Sequence, residues 1–277
     1  MDNVQYIEIS KLQPFPDNPF KVVENDDFNA LVESVREFGI LTPIIVRKCS
    51  EGKYEVVSGH RRMKACAKAG IEKIPAFVRS MSRNEAIITL VDSNIQRENI
   101  LPSEKAFGYK MKLEAIKHQG KTSPQLAGKL SATIVGEADG ISKDQVWRYI
   151  RLTNLNPKLL QMVDDKRIAI SPAVELSYLK EDEQIHLIEA IESEDCTPSH
   201  SQAIRLKAMS RDGVLTQQDI LKVISEIKPN QHEQVRLKTD SIKRYFPKNY
   251  NTKQMENTII KLLEQWQRKR QQSREER

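Results

Sequence analysis

Apolar and polar positions are spaced differently in the two halves of this chain. In the first hundred residues, several short apolar stretches have the length and composition of strands. They lie at residues 6–9, 43–48, 53–58 and 74–80. Between the first two stretches, apolar residues recur at helical spacing and stop at a glycine, with members Phe28, Leu31, Val32, Val35 and Gly39. This pattern predicts a compact α+β domain over residues 1–100.

From Leu101 onward the apolar spacing predicts helices alone. Pro102 suits the first turn of a helix that should end at Gly120. The inner stripe of that helix is Ala106, Tyr109, Leu113 and Ile116. Several short helices follow to about residue 210. We therefore expect an all-α domain over residues 101–210, and a linker with a small helical segment over residues 211–250.

The final segment, residues 251–277, is predicted to hold a basic amphipathic helix from about residue 252 to 270. Its apolar side carries Met255, Ile259, Leu262, Leu263 and Trp266. The spacing of most of these residues is typical of a coiled-coil seam. Because so short a helix is marginal in water by itself, we expect it to pack either on its own domain or on a partner chain in a homodimer.

Charge is distributed unevenly along the 277 residues. The net charge is +6, and residues 234–277 hold 12 basic and 5 acidic residues, so this segment carries the whole surplus. A basic tail favours a polyanionic partner, although charge alone also fits a solvated tail. The chain shows no membrane-length apolar stretch and no secretory signal, and its three cysteines are far apart. We expect a cytoplasmic protein with no membrane association.

The stretch VVSGHRRMKACAKAG, residues 56–70, joins a predicted strand to a predicted helix. Gly59 has no Cβ and lets a ligand approach the backbone. The N–H groups of residues 60–62 open the helix, and Arg61 and Arg62 can each grip phosphate oxygens through two hydrogen bonds. If Gly59 has a negative φ, a serine there should block the ligand with little effect on folding. Taken alone, the stretch also fits an exposed arginine pair at a helix start.

A second polar motif lies between two predicted helices. Ser82 and Glu85 form a capping box that opens a helix running to about Asn94, and Gln96 and Arg97 follow. Polar residues at such a junction can complete a nucleotide pocket, or can coordinate a metal through an amide oxygen. An ordinary capped linker is the alternative interpretation.

Residues 131–155 have the pattern of a helix-turn-helix. Gly140 occupies the turn, Val135 and Val146 take the inward positions, and Ser142 caps the second helix. That helix is predicted to read DNA through Lys143, Gln145, Arg148 and Arg151. We expect the first two to face base edges and the two arginines to contact phosphate. A plain pair of packed helices is the alternative.

Taken together, the order and spacing of these motifs over residues 5–200 resemble the ParB family. The resemblance implies an α+β ParB/sulfiredoxin-like domain, then an all-α helix-turn-helix domain and a C-terminal basic helix. It implies a homodimer on the nucleoid that binds double-stranded DNA at a centromere-like site and works with a ParA-type ATPase. It also implies CTP and Mg²⁺ as ligands of the N-terminal domain, which closes as a clamp on DNA. The nucleotide-binding set would be Thr42, Gly59, His60, Arg61, Arg62, Asn94, Gln96 and Arg97, with Asn94 as the candidate Mg²⁺ ligand.

Two departures from the family's pattern bear on chemistry. His60 and Ser93 stand where the family's two boxes have glutamates. Both changes remove a carboxylate that could polarise water or hold Mg²⁺, so nucleotide binding is expected and hydrolysis is expected to be slow or absent. A transcription regulator without a partition partner is the main alternative function. A small-molecule kinase or nuclease of the same fold is a third interpretation, and the helix-turn-helix and basic tail argue against it.

Overall fold

The contacts of the chain divide it into two compact units, residues 1–226 and residues 227–277. A computed structural model describes residues 3–49, 52–97, 99–117, 124–226, 242–243, 245–247 and 250–275. The first unit begins with an α+β part and continues as helices alone, which confirms the predicted fold class. The predicted helix end at Gly120 lies outside the described residues.

One mixed sheet organises the α+β part. Its strands are β1 (Val4–Glu8), β2 (Leu12–Pro14), β3 (Ile44–Lys48), β4 (Tyr54–Ser58) and β5 (Lys73–Arg79). Their order is β1-β5-β3-β4-β2. The pairs β1–β5 and β3–β4 are antiparallel, whereas β3–β5 and β2–β4 are parallel.

Strand β2 was not predicted, because its sequence reads as a proline-rich loop. It pairs with β4 at the edge of the sheet, with Pro14 opposite Val56. An edge strand tolerates proline because one side of its backbone needs no ladder partner. The proline-rich segment is therefore anchored at its start by the sheet.

Where helix limits were predicted between residues 26 and 102, the helices of the first unit begin and end close to them. They are α1 (Asp26–Phe38), α2 (His60–Ala69), α3 (Arg83–Ile95), α4 (Pro102–Lys117), α5 (Pro124–Asp139), α6 (Lys143–Arg151), α7 (Pro157–Asp164), α8 (Ile170–Leu176), α9 (Glu181–Glu194), α10 (His200–Arg211) and α11 (Gln217–Ser225). The Ser82–Glu85 capping box is present at the start of α3. Gly39 and Gly70 end α1 and α2 at positive φ, as their positions after the last apolar residue predict.

Three apolar cores hold the first unit together. Helices α1 and α2 cover one face of the sheet, with Phe28 and Ile44 fully buried between them. Apolar residues between Leu152 and Ile224, together with Ala106 of α4, form a helical core. We call the remaining core the junction core, and its buried members are Phe15, Phe20, Val57, Ala86, Leu90, Val91, Ile95, Tyr109, Val135 and Val146. It joins strand β4 and helix α3 to helices α4, α5 and α6, so the two halves of the first unit share one apolar interior.

The second unit contains helix α12 (Thr252–Glu275), which is longer than predicted. Asn251 caps its start by accepting a hydrogen bond from the Gln254 N–H at 2.9 Å. Met255 is buried, whereas Leu262 and Trp266 are each 58% exposed. Within the described parts of the chain, the helices are all too short or too polar to cross a bilayer.

A buried ammonium group lies at the junction core. Lys112 of α4 is 2% exposed. Its Nζ is 2.6 Å from Asp92 Oδ1 of α3 and 3.9 Å from Asp139 Oδ2 at the end of α5. Burial raises the pKa of Asp139 and the Lys112 charge lowers it, while Tyr109 lies close enough to hydrogen-bond that carboxylate. One side chain thus connects the last helix of the α+β part to the first helix of the helix-turn-helix.

We expect Lys112→Met to lower the free energy of unfolding by about 3 kcal/mol, because Asp139 then loses the cation that compensates its burial. Adding Asp139→Asn should restore part of that loss, since the amide carries no charge. Urea denaturation measures both variants. Lys158→Met is the control, because its ion pair with Glu192 is solvent-exposed, and exposed pairs contribute under about 1 kcal/mol. Equal stability of Lys112→Met and Lys158→Met would contradict a structural role for the buried cation.

Candidate functional site

Gly59 joins β4 to α2 in a conformation that other residues rarely adopt. Its φ is +105°, and its carbonyl accepts the first helical hydrogen bond from the Met63 N–H at 2.9 Å. A Cβ at this position would lie 2.6 Å from Ile44 Cγ2. The expectation that Gly59→Ser has little effect on folding required a negative φ. Because φ is positive, we expect this substitution to destabilise the fold as well. Gly59 is thus required by packing against Ile44, whatever binds above it.

Arg62 grips the loop that precedes β3. Its guanidinium donates hydrogen bonds to the carbonyl oxygens of Thr42 and Pro43, the second at 3.0 Å. Burial lowers the pKa of Arg62, although a guanidinium keeps its charge at any physiological pH. Thr42 therefore joins the predicted set through its backbone, and Arg62 already has a structural role in the absence of any ligand.

Arg61 follows Gly59 in the first turn of α2, and Arg97 follows the end of α3. The two residues lie close enough to repel each other. Desolvation and the positive charge of Arg61 lower the pKa of Arg97, while Glu104 opposes both effects. The Arg61 guanidinium also lies 5.9 Å from the centre of the Phe28 ring. Two cations from distant parts of the sequence thus meet beside the first turn of α2, where helix N–H groups add further positive potential.

His60 is buried at the same turn and is neutral. Its Nε2 accepts a hydrogen bond from the Phe15 N–H at 3.3 Å. Burial, helped by the positive charge of Arg97, lowers the pKa of His60 to about 4. The residue in the family's glutamate position therefore brings neither a carboxylate nor a positive charge. It holds the proline-rich segment against α2 instead.

A pocket of about 590 Å³ opens between the proline-rich segment and α2. Its lining includes Phe15, Phe20, His60, Met63 and Lys64, with Asp17 and Asn18 also contributing. This volume lies within the range of small-molecule sites, and the walls are mainly apolar. Of the predicted nucleotide residues, His60 is the one that lines the pocket.

Asn94 lies at the end of α3 and is 3% exposed. Its Nδ2 donates to the Leu90 carbonyl at 2.7 Å, and to Ser93 Oγ at 3.3 Å. Its own carbonyl accepts from the Arg97 N–H at 3.1 Å, while Gln96 is an exposed C-cap. Over the described residues, no group of three or more His, Cys, Asp or Glu side chains is placed to hold a metal ion. Asn94 thus has no carboxylate cluster beside it, and we assign no chemical step to Mg²⁺.

The helix-turn-helix has the predicted geometry. Val135 of α5 and Val146 of α6 are fully buried, and Gly140 turns the chain at a φ of +67°. Ser142 Oγ accepts a hydrogen bond from the Gln145 N–H at 3.2 Å and caps α6. A Cβ on Gly136 would lie 2.5 Å from the Ile141 carbonyl oxygen. The glycine at this position therefore allows the turn to close against α5.

The four predicted DNA-binding residues differ in the contacts that they make with the rest of the protein. Lys143, Gln145 and Arg148 are exposed on α6, and Arg148 donates a hydrogen bond to Ser171 Oγ at 2.8 Å. Arg151 is half-buried and donates to Ser177 Oγ at 3.2 Å and to its carbonyl at 3.1 Å.

Arg151 also lies 3.8 Å above the Tyr178 ring. Arg151 therefore packs α6 onto the end of α8, a role that sequence spacing could not show because the partners are 26 residues apart.

The neutral state of His60 should make stability depend on pH. In the unfolded chain the imidazole has an ordinary pKa of about 6.5, so below that pH the unfolded state binds a proton that the folded state does not. Stability is then fully present above pH 6.5 and falls as pH decreases toward 4, by about 2 kcal/mol at pH 5. Urea denaturation at pH 7.5 and pH 5 measures this loss.

In that experiment, His60→Gln keeps an acceptor for the Phe15 N–H and should flatten the difference between the two pH values. The control, His200→Gln, changes an exposed histidine and should leave the difference in place. If His60→Gln and the unaltered chain lose the same stability at pH 5, His60 does not titrate as described.

Residues 1–95 match the family model of the ParB N-terminal domain. The chain is 34% identical over 182 residues to stage 0 sporulation protein J of Bacillus subtilis, covering 65% of this chain and 59% of that protein. It is 28% identical over 199 residues to the chromosome-partitioning protein Spo0J of Thermus thermophilus, covering 72% and 69%. A nucleoid occlusion protein of Geobacillus is 31% identical over 136 residues, with coverage of 49% and 48%. The matched region thus spans between about half and two thirds of these relatives' length.

Among solved structures, the C-terminally truncated ParB of Caulobacter crescentus in complex with the centromeric parS site aligns with 79% of this chain and 98% of its own. The identity is 20% and the TM-score is 0.44, so the family assignment rests on the sequence matches. Those matches show that residues 1–95 carry a ParB N-terminal domain, and that the chain is similar to a chromosome-partitioning protein over 199 residues.

Proposed function

We propose that this chain is a DNA-binding partition protein whose N-terminal domain binds a nucleoside triphosphate. The observation that carries the proposal is the meeting of Arg61 and Arg97 at the start of α2. Like charges repel, and an anion between them would convert that repulsion into attraction on both sides. The proposed ligand is CTP, the family's nucleotide, held as a switch that closes a clamp around DNA.

The surroundings of the two arginines support a triphosphate. The first N–H groups of α2 and the helix dipole favour negative charge at the same place. The adjacent pocket at His60 is large enough for a nucleoside and is mainly apolar, which suits a base better than a phosphate. Mg²⁺ would accompany the triphosphate as a counter-ion, and Asn94 is the protein ligand that we propose for it.

The state of His60 favours binding over turnover. A general base needs a free lone pair within reach of the water that it activates. The His60 Nε2 lone pair accepts the Phe15 N–H instead, and Ser93 Oγ donates to the Leu90 carbonyl at 3.0 Å. We therefore propose that nucleotide hydrolysis is slow, and that release or exchange resets the switch.

The DNA side of the proposal rests on α6 and on the C-terminal segment. Lys143, Gln145 and Arg148 are exposed on a capped second helix, as a recognition helix requires. The basic residues of 234–277 add a sequence-independent attraction to DNA phosphates. We further propose a homodimer formed through the apolar side of α12, a ParA-type ATPase as partner, and a location on the nucleoid.

A transcription regulator on the same fold is the second candidate function. A neutral histidine, His60, stands where the family has a glutamate. Nucleotide binding is therefore the part of the proposed function that depends on the altered motif. In that case DNA binding would remain and no nucleotide would be bound. Calorimetry with CTP, ATP and GTP, each with Mg²⁺ and with or without DNA, separates the two functions.

We expect Arg61→Ala to weaken CTP binding about ten- to a hundredfold, because each charge-assisted hydrogen bond contributes about 1.5–3 kcal/mol. The full chain should be used, since a cut near residue 100 would open the junction core. Arg36→Ala is the control, because Arg36 is exposed on α1 and pairs with Glu33. If the unaltered chain binds none of the three nucleotides even with DNA present, the clamp proposal fails and the regulator remains.

Arg148→Ala should weaken binding to duplex DNA and reduce the slope of log K against log salt by about one unit, as loss of one phosphate contact does. Arg151→Ala should also lower the melting temperature, because it removes the contacts to Ser177 and Tyr178. Fluorescence anisotropy over a salt series measures the slope.

Arg205→Ala is the matched control in the salt series, since Arg205 is an exposed arginine of α10 paired with Glu226. Slopes that match the control in both α6 variants would show that α6 does not contact DNA.

A further inference from the structure

The exposed face of α6 carries two residues outside the predicted DNA-binding set. With about 100° of rotation per residue, Asp144 and Arg148 lie opposite buried Val146, and Trp147 lies at one edge of that face. All three are exposed. Gln145 lies at the other edge, and Lys143 lies between Trp147 and the buried side. The exposed face therefore carries an acid and an arginine at its centre and an indole at the edge beside Lys117.

Trp147 is not needed to fill the protein interior. Val146 supplies the fully buried contact of α6. Tyr149 and Ile150 pack against the junction core as partly buried residues. Trp147 instead stays 40% exposed, with the Lys117 ammonium of α4 lying 5.9 Å from the centre of its ring. This cation–π contact restrains the orientation of the indole on the surface.

The chemistry of the exposed side chains of α6 distinguishes base edges from the phosphate backbone. A carboxylate such as Asp144 is repelled by phosphate, and an indole has a single donor and a large apolar ring. Neither suits the phosphate backbone, whereas Arg148 and Lys117 do. In the major groove, the apolar group that a base presents is the C5-methyl of thymine.

We infer that Trp147 is a specificity-determining residue that contacts the C5-methyl group of a thymine in the DNA site. This inference deepens the proposed DNA-binding function and depends on it. Lys117 holds the ring from one side, while Arg148 secures the neighbouring backbone. The contact makes the chain select thymine at one or a few positions of its site through an apolar surface, with no direct hydrogen bond to that base.

The test selects DNA sites from a library of random-sequence duplexes, using the full-length chain. The unaltered chain and Trp147→Phe should enrich a site with thymine at one or more defined positions. Trp147→Ala and Trp147→Gln should lose the preference at those positions and keep it elsewhere. Tyr6→Ala is the control, because Tyr6 is an aromatic residue that is 73% exposed on β1, away from α6.

Replacing the selected thymine by deoxyuracil removes the methyl group alone. The unaltered chain should lose about three- to tenfold in affinity, the amount expected for one buried methyl group. Trp147→Ala should bind the two duplexes equally. The double comparison isolates the contact between ring and methyl, because all other groups are the same. Thermal melting of each variant checks that it is folded. If Trp147→Ala is unfolded, Trp147→Gln replaces it in the comparison.

Two results would overturn the inference while leaving DNA binding in place. In the first, Trp147→Ala enriches the same thymines and shows the same deoxyuracil effect as the unaltered chain. In the second, it weakens binding to every duplex equally, which indicates packing or backbone contact. Failure of the unaltered chain to enrich any sequence would instead overturn sequence-specific binding itself, and this inference with it.

Discussion

The buried ammonium of Lys112 links the two halves of the first unit. It lies within 4 Å of carboxylates from α3 and α5, and these helices belong to the two halves of the unit. A buried charge is tolerated only while its partners stay close, so separating the helices would leave an uncompensated ion in an apolar core. Helix α3, which carries Asn94, and the helix-turn-helix are therefore held in a defined relation.

In the candidate nucleotide site, two side chains hold neighbouring segments of the chain in place. Arg62 holds the loop before β3 through two carbonyl oxygens, and His60 holds the proline-rich segment through one N–H group. These contacts shape the site before any ligand arrives. Arg61 and Arg97 have a different character, because they are like charges that lie close together and Glu104 offsets part of their repulsion. In the function that we propose, Arg62 preorganises the site, while Arg61 and Arg97 attract the ligand.

Helix α6 also carries side chains of two kinds. Some contact the rest of the protein, and others are exposed. Arg151 stabilises the packing of α6 on α8, while Asp144, Trp147 and Arg148 face outward. The helix is therefore anchored on one side and presents a mixed acidic, aromatic and basic surface on the other. Such a surface is better suited to discriminating base edges than to general attraction, which we propose comes from the basic residues of 234–277.

The sequence by itself determined the features that depend on neighbours within a few positions. Helix starts at Ser82 and Ser142, helix ends at Gly39 and Gly70, and the order of strands and helices all follow from local hydrogen bonds and apolar spacing. Tertiary structure alone decided the positive φ of Gly59 against Ile44, the pairing of the proline-rich segment as strand β2, and the contacts of Arg62 and Arg151. Each of these depends on atoms brought together from distant positions, and the shared junction core that positions them arises only when the whole first unit folds.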